Sequence, residues 1–179
     1  MGSYFSSYNH EPNTPQQDRT NYKTLLGDQF QDNNGANHQK DVVLNARFTA
    51  IYFSAHWCPP CRQFTPQLVT AYQGIQSQQS NSDGTKPFEV IFSSRDRSQD
   101  AFSGYFSSMP WMAIPYSDEN LRTDLMQRFS VRTIPTLIVL GRDGSIITRD
   151  ARNQVASLGP KAYSVWEELE SKKNASVNE

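Results

Sequence analysis

The sequence predicts an α/β fold in which a central mixed β-sheet carries helices on both faces. Two apolar runs rich in aromatic and β-branched residues, Phe48–Phe53 and Phe88–Phe92, have the length and composition of buried strands. Between them, from Pro59 to about Gln79, Phe64, Leu68, Ala71, Tyr72 and Ile75 recur at helical spacing. Two shorter runs, Leu137–Leu140 and Ile146–Thr148, joined through Arg142-Asp143-Gly144, read as a hairpin. Strand, helix and strand followed by hairpin and helix build a mixed sheet rather than a bundle or a sandwich.

The remaining elements follow in order. Pro66 lies inside the first helical pattern, where a missing N–H predicts a kink. Asn81-Ser82-Asp83-Gly84 is a turn that lets the chain return into the second strand. Ser98 to Ser107 reads as a helix ended by Met109-Pro110, and Leu121, Leu125 and Phe129 mark one face of another. Ala162 to Glu170 closes the domain as a helix. Residues 1–24 carry Ser, Asn, Gln and Pro with no Val, Ile or Leu. Such a segment buries too little aliphatic surface to offset its ordering entropy. Residues 1–23 are therefore expected to form a disordered tail, 24–170 the folded domain, and 171–179 a second disordered tail.

Charge and composition exclude several classes. Lys and Arg number 17 against 18 Asp and Glu, and the sequence pI is about 6.3. A nucleic-acid binder usually shows a basic face and a pI above about 9, so no nucleic-acid partner is expected. No apolar stretch reaches the roughly 18 residues a membrane span needs, and residues 1–40 lack the apolar core of a secretory signal. With two cysteines there is no disulfide framework of the secreted kind. A cytoplasmic or nuclear protein is expected.

Both cysteines fall in Trp57-Cys58-Pro59-Pro60-Cys61-Arg62, directly after the first central strand and opening a helix. That context makes a C-x-x-C pair a redox dithiol. The partial positive charge and unpaired N–H groups of a helix N-terminus favour thiolate over thiol. Cys58, at the tip, is the expected nucleophile, and Cys61, one turn in, the resolving thiol. Arg62 either adds a cationic neighbour or points to solvent. Acidity alone contributes little. Lowering a thiol pKa from about 8.5 to about 7 raises the thiolate fraction roughly fifteenfold at pH 7. The accompanying loss of nucleophilicity removes roughly fivefold. The larger effect is a second thiol held beside the mixed disulfide, where effective molarity reaches about 10⁵ M in well-aligned cases.

Other roles for the pair are weaker. A zinc site needs four ligands, and only His10, His38 and His56 add to the two cysteines, so no metal is expected. No other cofactor is indicated. A structural staple over so short a loop removes less entropy than the ~3 kcal/mol of a 15-residue loop. Ile134-Pro135, ahead of the third strand, is by itself a tolerated strand start. Beside a C-x-x-C it points instead to a cis-proline loop against the dithiol, with the Ile134 backbone open to pair with an extended substrate.

Ala55-His56-Trp57-Cys58-Pro59-Pro60-Cys61-Arg62, Thr65-Pro66, Met109-Pro110-Trp111 and Ile134-Pro135-Thr136-Leu137 together resemble the nucleoredoxin and tryparedoxin branch of the thioredoxin superfamily. The resemblance runs from about Thr24 to Arg152. It implies a thioredoxin-like fold and protein-disulfide reduction, with Cys58 and Cys61 as the redox pair and Pro135 as the cis-proline. The implied partners are protein disulfides and a reductase or dithiol electron donor. Ordinary thioredoxins carry a buried acid where this chain has Tyr52, and tyrosine there is usual in the branch. A phenol with pKa near 10 is a poor base at pH 7, so the proton acceptor for Cys61 stays unassigned. In Arg95-Asp96-Arg97-Ser98, Arg97 replaces the acid that helps tryparedoxins receive a cationic dithiol, which argues against a trypanothione-type donor. Arg152 matches a tryparedoxin arginine at the active-site rim, or is a solvated surface charge. Trp57 and Trp111 either form an apolar collar around the dithiol or belong to the core. The rival to an enzyme is a redox-gated interaction protein that uses the same dithiol as a sensor.

Gly2 with Ser6 fits the myristoylation pattern. One acyl chain gives only marginal, reversible membrane binding, so any such contact is expected to be transient.

Overall fold

The computed structural model describes residues 21–78 and 83–177. Residues 1–20, and with them Gly2 and most of the expected N-terminal tail, lie outside the described residues. A short 3₁₀ helix, Tyr22–Leu25, leads into the hairpin β1 (Gln29–Gln31) and β2 (Asn37–Gln39) and the short helix α1 (Lys40–Val43). Then come β3 (Ala46–Ser54), α2 (Pro59–Gln78), β4 (Lys86–Ser94), α3 (Gln99–Phe106), β5 (Met112–Ala113) and α4 (Glu119–Arg128). The chain closes with β6 (Thr136–Leu140), β7 (Ile146–Thr148), α5 (Ala151–Leu158), a 3₁₀ turn and α6 (Ala162–Val177).

The strands form one seven-stranded sheet in the order β2-β1-β5-β4-β3-β6-β7. β3 is parallel to β4 and antiparallel to β6, and β4 is parallel to β5, which makes the sheet mixed. β3 and β4 read as nearly continuous apolar runs because both their faces are covered. Phe48, Ala50 and Tyr52 join one core cluster with the buried faces of α2, α3, α5 and α6. Ile51 and Phe53, pointing the other way by the two-residue period of a strand, join a second cluster with Leu125 of α4 and Phe129.

Local chemistry sets the helix starts. Pro59 occupies the first helical position of α2, where its fixed φ suits the helix and its missing N–H costs nothing. The hydroxyl of Ser98 accepts the Ala101 N–H to cap α3, and Asp118 Oδ1 accepts the Leu121 N–H to cap α4. Pro66 is exposed, and α2 runs through it without interruption. Gly74 is required by a close approach: a Cβ there would sit 2.4 Å from Pro160 Cγ, so α2 packs directly on the turn between α5 and α6.

Two expected boundaries differ. The chain is already ordered at Tyr22, whose ring packs on Phe129 with centroids 5.1 Å apart. The closing helix does not stop at Glu170 but continues to Val177, through residues expected to be a disordered tail. Lys173 Nζ donates to the Ile146 carbonyl at 3.2 Å and ties this extension to β7. Arg47 of β3 pairs with both Glu167 and Glu170 just before it. Adding residues to an existing helix needs no new nucleus, so a polar sequence can follow.

Candidate functional site

The carboxyl ends of parallel strands are where α/β sheets place their chemistry, and three loops meet there. β3 delivers Ala55 to Cys58, and β4, whose Ser94 pairs with Ser54, delivers Arg95 to Ser98. β6 is antiparallel to β3, so its start, Thr136 opposite Phe53, brings Ile134 and Pro135 to the same end.

Cys58 and Cys61 are joined in a disulfide with a Cα–Cα distance of 5.2 Å. Cys58 keeps 5% of its surface, while Cys61 is fully buried. Pro59 and Pro60 have no N–H, and the Arg62 N–H is taken by the Cys58 carbonyl at 3.2 Å. The first turn of α2 thus keeps the Cys61 N–H as its donor for a Cys58 thiolate, alongside the helix dipole. The Ile134–Pro135 bond is cis, Pro135 is buried, and the Ile134 carbonyl oxygen lies 3.7 Å from Cys58 Sγ. Pro59, Pro60 and Arg62 are exposed around the dithiol, with the Arg62 side chain in solvent. Arg152 is exposed on the first turn of α5.

The two tryptophans part company. Trp57 is 47% exposed and stands on the rim next to Cys58, its indole N–H donating to the Arg95 carbonyl at 3.0 Å. Trp111 is core and not collar: only 2% is exposed, and its ring sits edge-on to Tyr52 and Tyr72. It lies immediately before β5, in the core cluster that also holds Tyr52, Phe64 and Tyr72.

Beneath Cys61 lies a hydroxyl network that the sequence reading missed. Thr65 Oγ1 is 3.0 Å from the Cys61 carbonyl, 2.8 Å from Tyr52 Oη and 2.6 Å from Tyr105 Oη; Ser54 Oγ is 2.9 Å from Tyr105 Oη. A hydroxyl has one proton and two acceptor sites, and a carbonyl only accepts. Thr65 must therefore donate to Cys61, so both phenols donate to Thr65 and Ser54 donates to Tyr105. Burial pushes the Tyr52 phenol well above its ordinary value of 10. Tyr52 is thus a neutral donor that steadies the first turn of α2, and it takes no proton from Cys61. Thr65, four residues after Cys61 on the same helix face, was the one member with a local signal; Tyr105 and Ser54 arrive from other elements. Thr65→Val is expected to strip Tyr52 Oη of its acceptor and cost about 1–3 kcal/mol. Urea denaturation checks this: the midpoint should fall with an unchanged m-value.

Asp96, 5% exposed, is a second missed member. Its Oδ1 accepts the His56 N–H at 2.8 Å and its Oδ2 accepts from Ser94 Oγ at 2.8 Å, which locks the β4 loop to the dithiol loop. Among the described residues no cluster of His, Cys, Asp and Glu is arranged to hold a metal ion, and no helix is long and apolar enough to cross a membrane.

The comparisons agree with this geometry. The thioredoxin-like family model matches residues 45–146. Nucleoredoxin from Bos taurus is 47% identical over 112 residues, which is 63% of this chain and 24% of the relative. The Homo sapiens nucleoredoxin is 45% identical over 123 residues, 69% of this chain and 27% of the relative. Among solved structures, tryparedoxin II from C. fasciculata superposes with a TM-score of 0.69 at 34% identity, over 79% of this chain and 94% of that one. Tryparedoxin I from Leishmania major gives 0.67 at 35% identity, over 76% and 89%. The chain belongs to the thioredoxin-like family, in its nucleoredoxin–tryparedoxin branch. It spans about a quarter of the nucleoredoxins it matches and most of the length of the tryparedoxins. Family, fold and the Cys58–Cys61 pair together support a dithiol redox function.

Proposed function

We propose that the chain reduces disulfides in proteins, drawing electrons from a dithiol or a reductase. The observation that carries this reading is the asymmetry of the pair: Cys58 reaches the surface beside the Ile134 backbone, while Cys61 is sealed behind it. In the reduced state the Cys58 thiolate attacks one sulfur of the substrate disulfide, breaking that bond and releasing the other sulfur as a thiolate that takes up a proton. The Cys61 thiol, having lost its proton, then attacks Cys58 sulfur and expels the second substrate thiolate. Two electrons have passed to the substrate, and the chain is left with the disulfide described above. An external dithiol or a reductase restores it by the same exchange. An extended substrate strand laid along Ile134 would present its sulfur to Cys58, as in strand addition.

Turnover tests this. Reduction of a model protein disulfide should proceed through many cycles per molecule with dithiothreitol, or with NADPH and thioredoxin reductase, and the comparison identifies the donor class. No turnover above background with either donor overturns the reading in favour of a redox-gated binding protein, which changes affinity once per oxidation.

A further inference from the structure

Beside the dithiol is a polar cavity of about 380 Å³ walled by Arg95, Arg97 and Arg122 together with Trp57, Tyr116 and Glu119. It is joined firmly to the redox loop. The Arg95 N–H donates to the Ser54 carbonyl at 2.8 Å, the His56 N–H to Asp96, and the Trp57 indole N–H to the Arg95 carbonyl. One wall is Trp57, the residue next to Cys58 in the chain.

Its charge is unbalanced. None of the three guanidinium groups forms an ion pair among the described residues. Arg97 lies over the Trp57 ring, 4.9 Å from its centroid, so it is held against the wall formed by the residue next to Cys58 in the chain. Arg122 is 5% exposed and satisfied by neutral acceptors alone, the Ser94 carbonyl at 2.8 Å and the Tyr116 carbonyl at 2.7 Å, with its Nε left without a partner. Asp96 also lines the cavity, fixed in place by the His56 N–H and Ser94 Oγ. With Glu119, exposed on the first turn of α4, the lining sets three guanidinium groups against two carboxyl groups. A solvated surface arginine needs no explanation; a buried one without a carboxylate, behind two others, gives the cavity a standing attraction for anions.

We infer that this cavity is a specificity subsite: it takes a carboxylate flanking the attacked disulfide, against Arg95 and Arg97, and so selects acidic substrate segments. The inference rests on the disulfide-reductase reading. Guanidinium groups suit it because their planar fork binds carboxylates in pairs of hydrogen bonds. The same chemistry, a carboxylate beside a disulfide sulfur, also occurs in oxidised glutathione, so both sources enter the test.

The measurement is kcat/KM for matched peptide disulfides that carry Glu or Gln beside the cysteine, with oxidised glutathione as a third substrate. The Glu peptide should be favoured about tenfold at low ionic strength, shrinking toward parity in high salt as the charges are screened. Arg95→Gln with Arg97→Gln should erase the preference, and Glu119→Gln should enlarge it. A parallel titration uses the same peptides with serine in place of cysteine, followed by tryptophan fluorescence, and reads the subsite without any redox step. Equal values for Glu and Gln in both arms, or a preference that survives the double substitution, overturns the inference. Charge dependence with glutathione and none with the peptides overturns the assignment to a peptide segment. If the serine peptides bind with the expected preference but no disulfide is turned over, the subsite stands and the reductase reading falls. If both disulfides are turned over equally and both serine peptides bind equally, the reverse holds.

Discussion

Cys58→Ser should bring disulfide reduction down to the uncatalysed background, whereas Cys61→Ser should stop the reaction halfway with substrate covalently attached. The difference follows from burial. A serine hydroxyl does not attack a disulfide at neutral pH, and Cys61, with none of its surface exposed, cannot take over from the rim. In Cys61→Ser the first exchange still occurs, but the mixed disulfide now waits for a thiol from solution. A millimolar external thiol falls far short of the effective molarity of a neighbouring one, on the order of 10⁵ M in favourable geometry. Non-reducing gel electrophoresis reads both outcomes, as no adduct for the first variant and a dithiothreitol-sensitive adduct for the second. Undiminished turnover in Cys61→Ser would show that resolution is not intramolecular.

Phe92→Ala should be the most damaging of the core changes, at about 3–5 kcal/mol. Phe92 is fully buried at the centre of the sheet, opposite Tyr52 on β3 and Ala113 on β5. Its ring stacks on Phe102 at 5.9 Å and contacts Tyr52, Tyr105 and Phe106, so it joins β4 to α3 and to the hydroxyl network under Cys61. At about 2–4 °C per kcal/mol for a chain of this size, the midpoint of thermal unfolding should fall by about 6–20 °C. Phe92→Leu, which leaves a smaller void, should lose much less. A shift for Phe92→Ala within about 2 °C would mean that the cluster relaxes to fill the space.

What was legible in the sequence follows from how local the cause was. β3, α2 and β4 could be read because burial on both faces writes long apolar runs, and helical spacing separates α2 from its neighbours. The β1–β2 hairpin could not: Gln29, Gln31, Asn37, His38 and Gln39 surround a single buried Phe30, so no alternation shows. α5 was hidden for a similar reason, since Ala151 and Val155 are its only buried positions. The polar end of α6 looked like a tail because its anchor, Lys173 on the Ile146 carbonyl, spans 27 residues. At the site, the dithiol and the Ile134–Pro135 loop were visible as motifs. Thr65 meets Tyr105 across 40 positions and His56 meets Asp96 across a similar gap, and spacing cannot report a contact that only the sheet creates. Arg95 and Arg97 stood in plain view in the sequence, but Arg122, which closes their cavity, comes from α4.

The order of strands in the sheet also bears on how this protein is made. β3 carries the cysteines on its outgoing loop, yet one of its two neighbours, β6, begins only at Thr136, and the Ile134 carbonyl beside Cys58 comes just before it. During synthesis both thiols therefore leave the ribosome long before the strand that completes their surroundings. Chains grow at about 5–20 residues per second, so for several seconds the pair exists as two cysteines on an unfinished sheet. A nascent chain arrested between Cys61 and Ile134 would carry both sulfurs and no site.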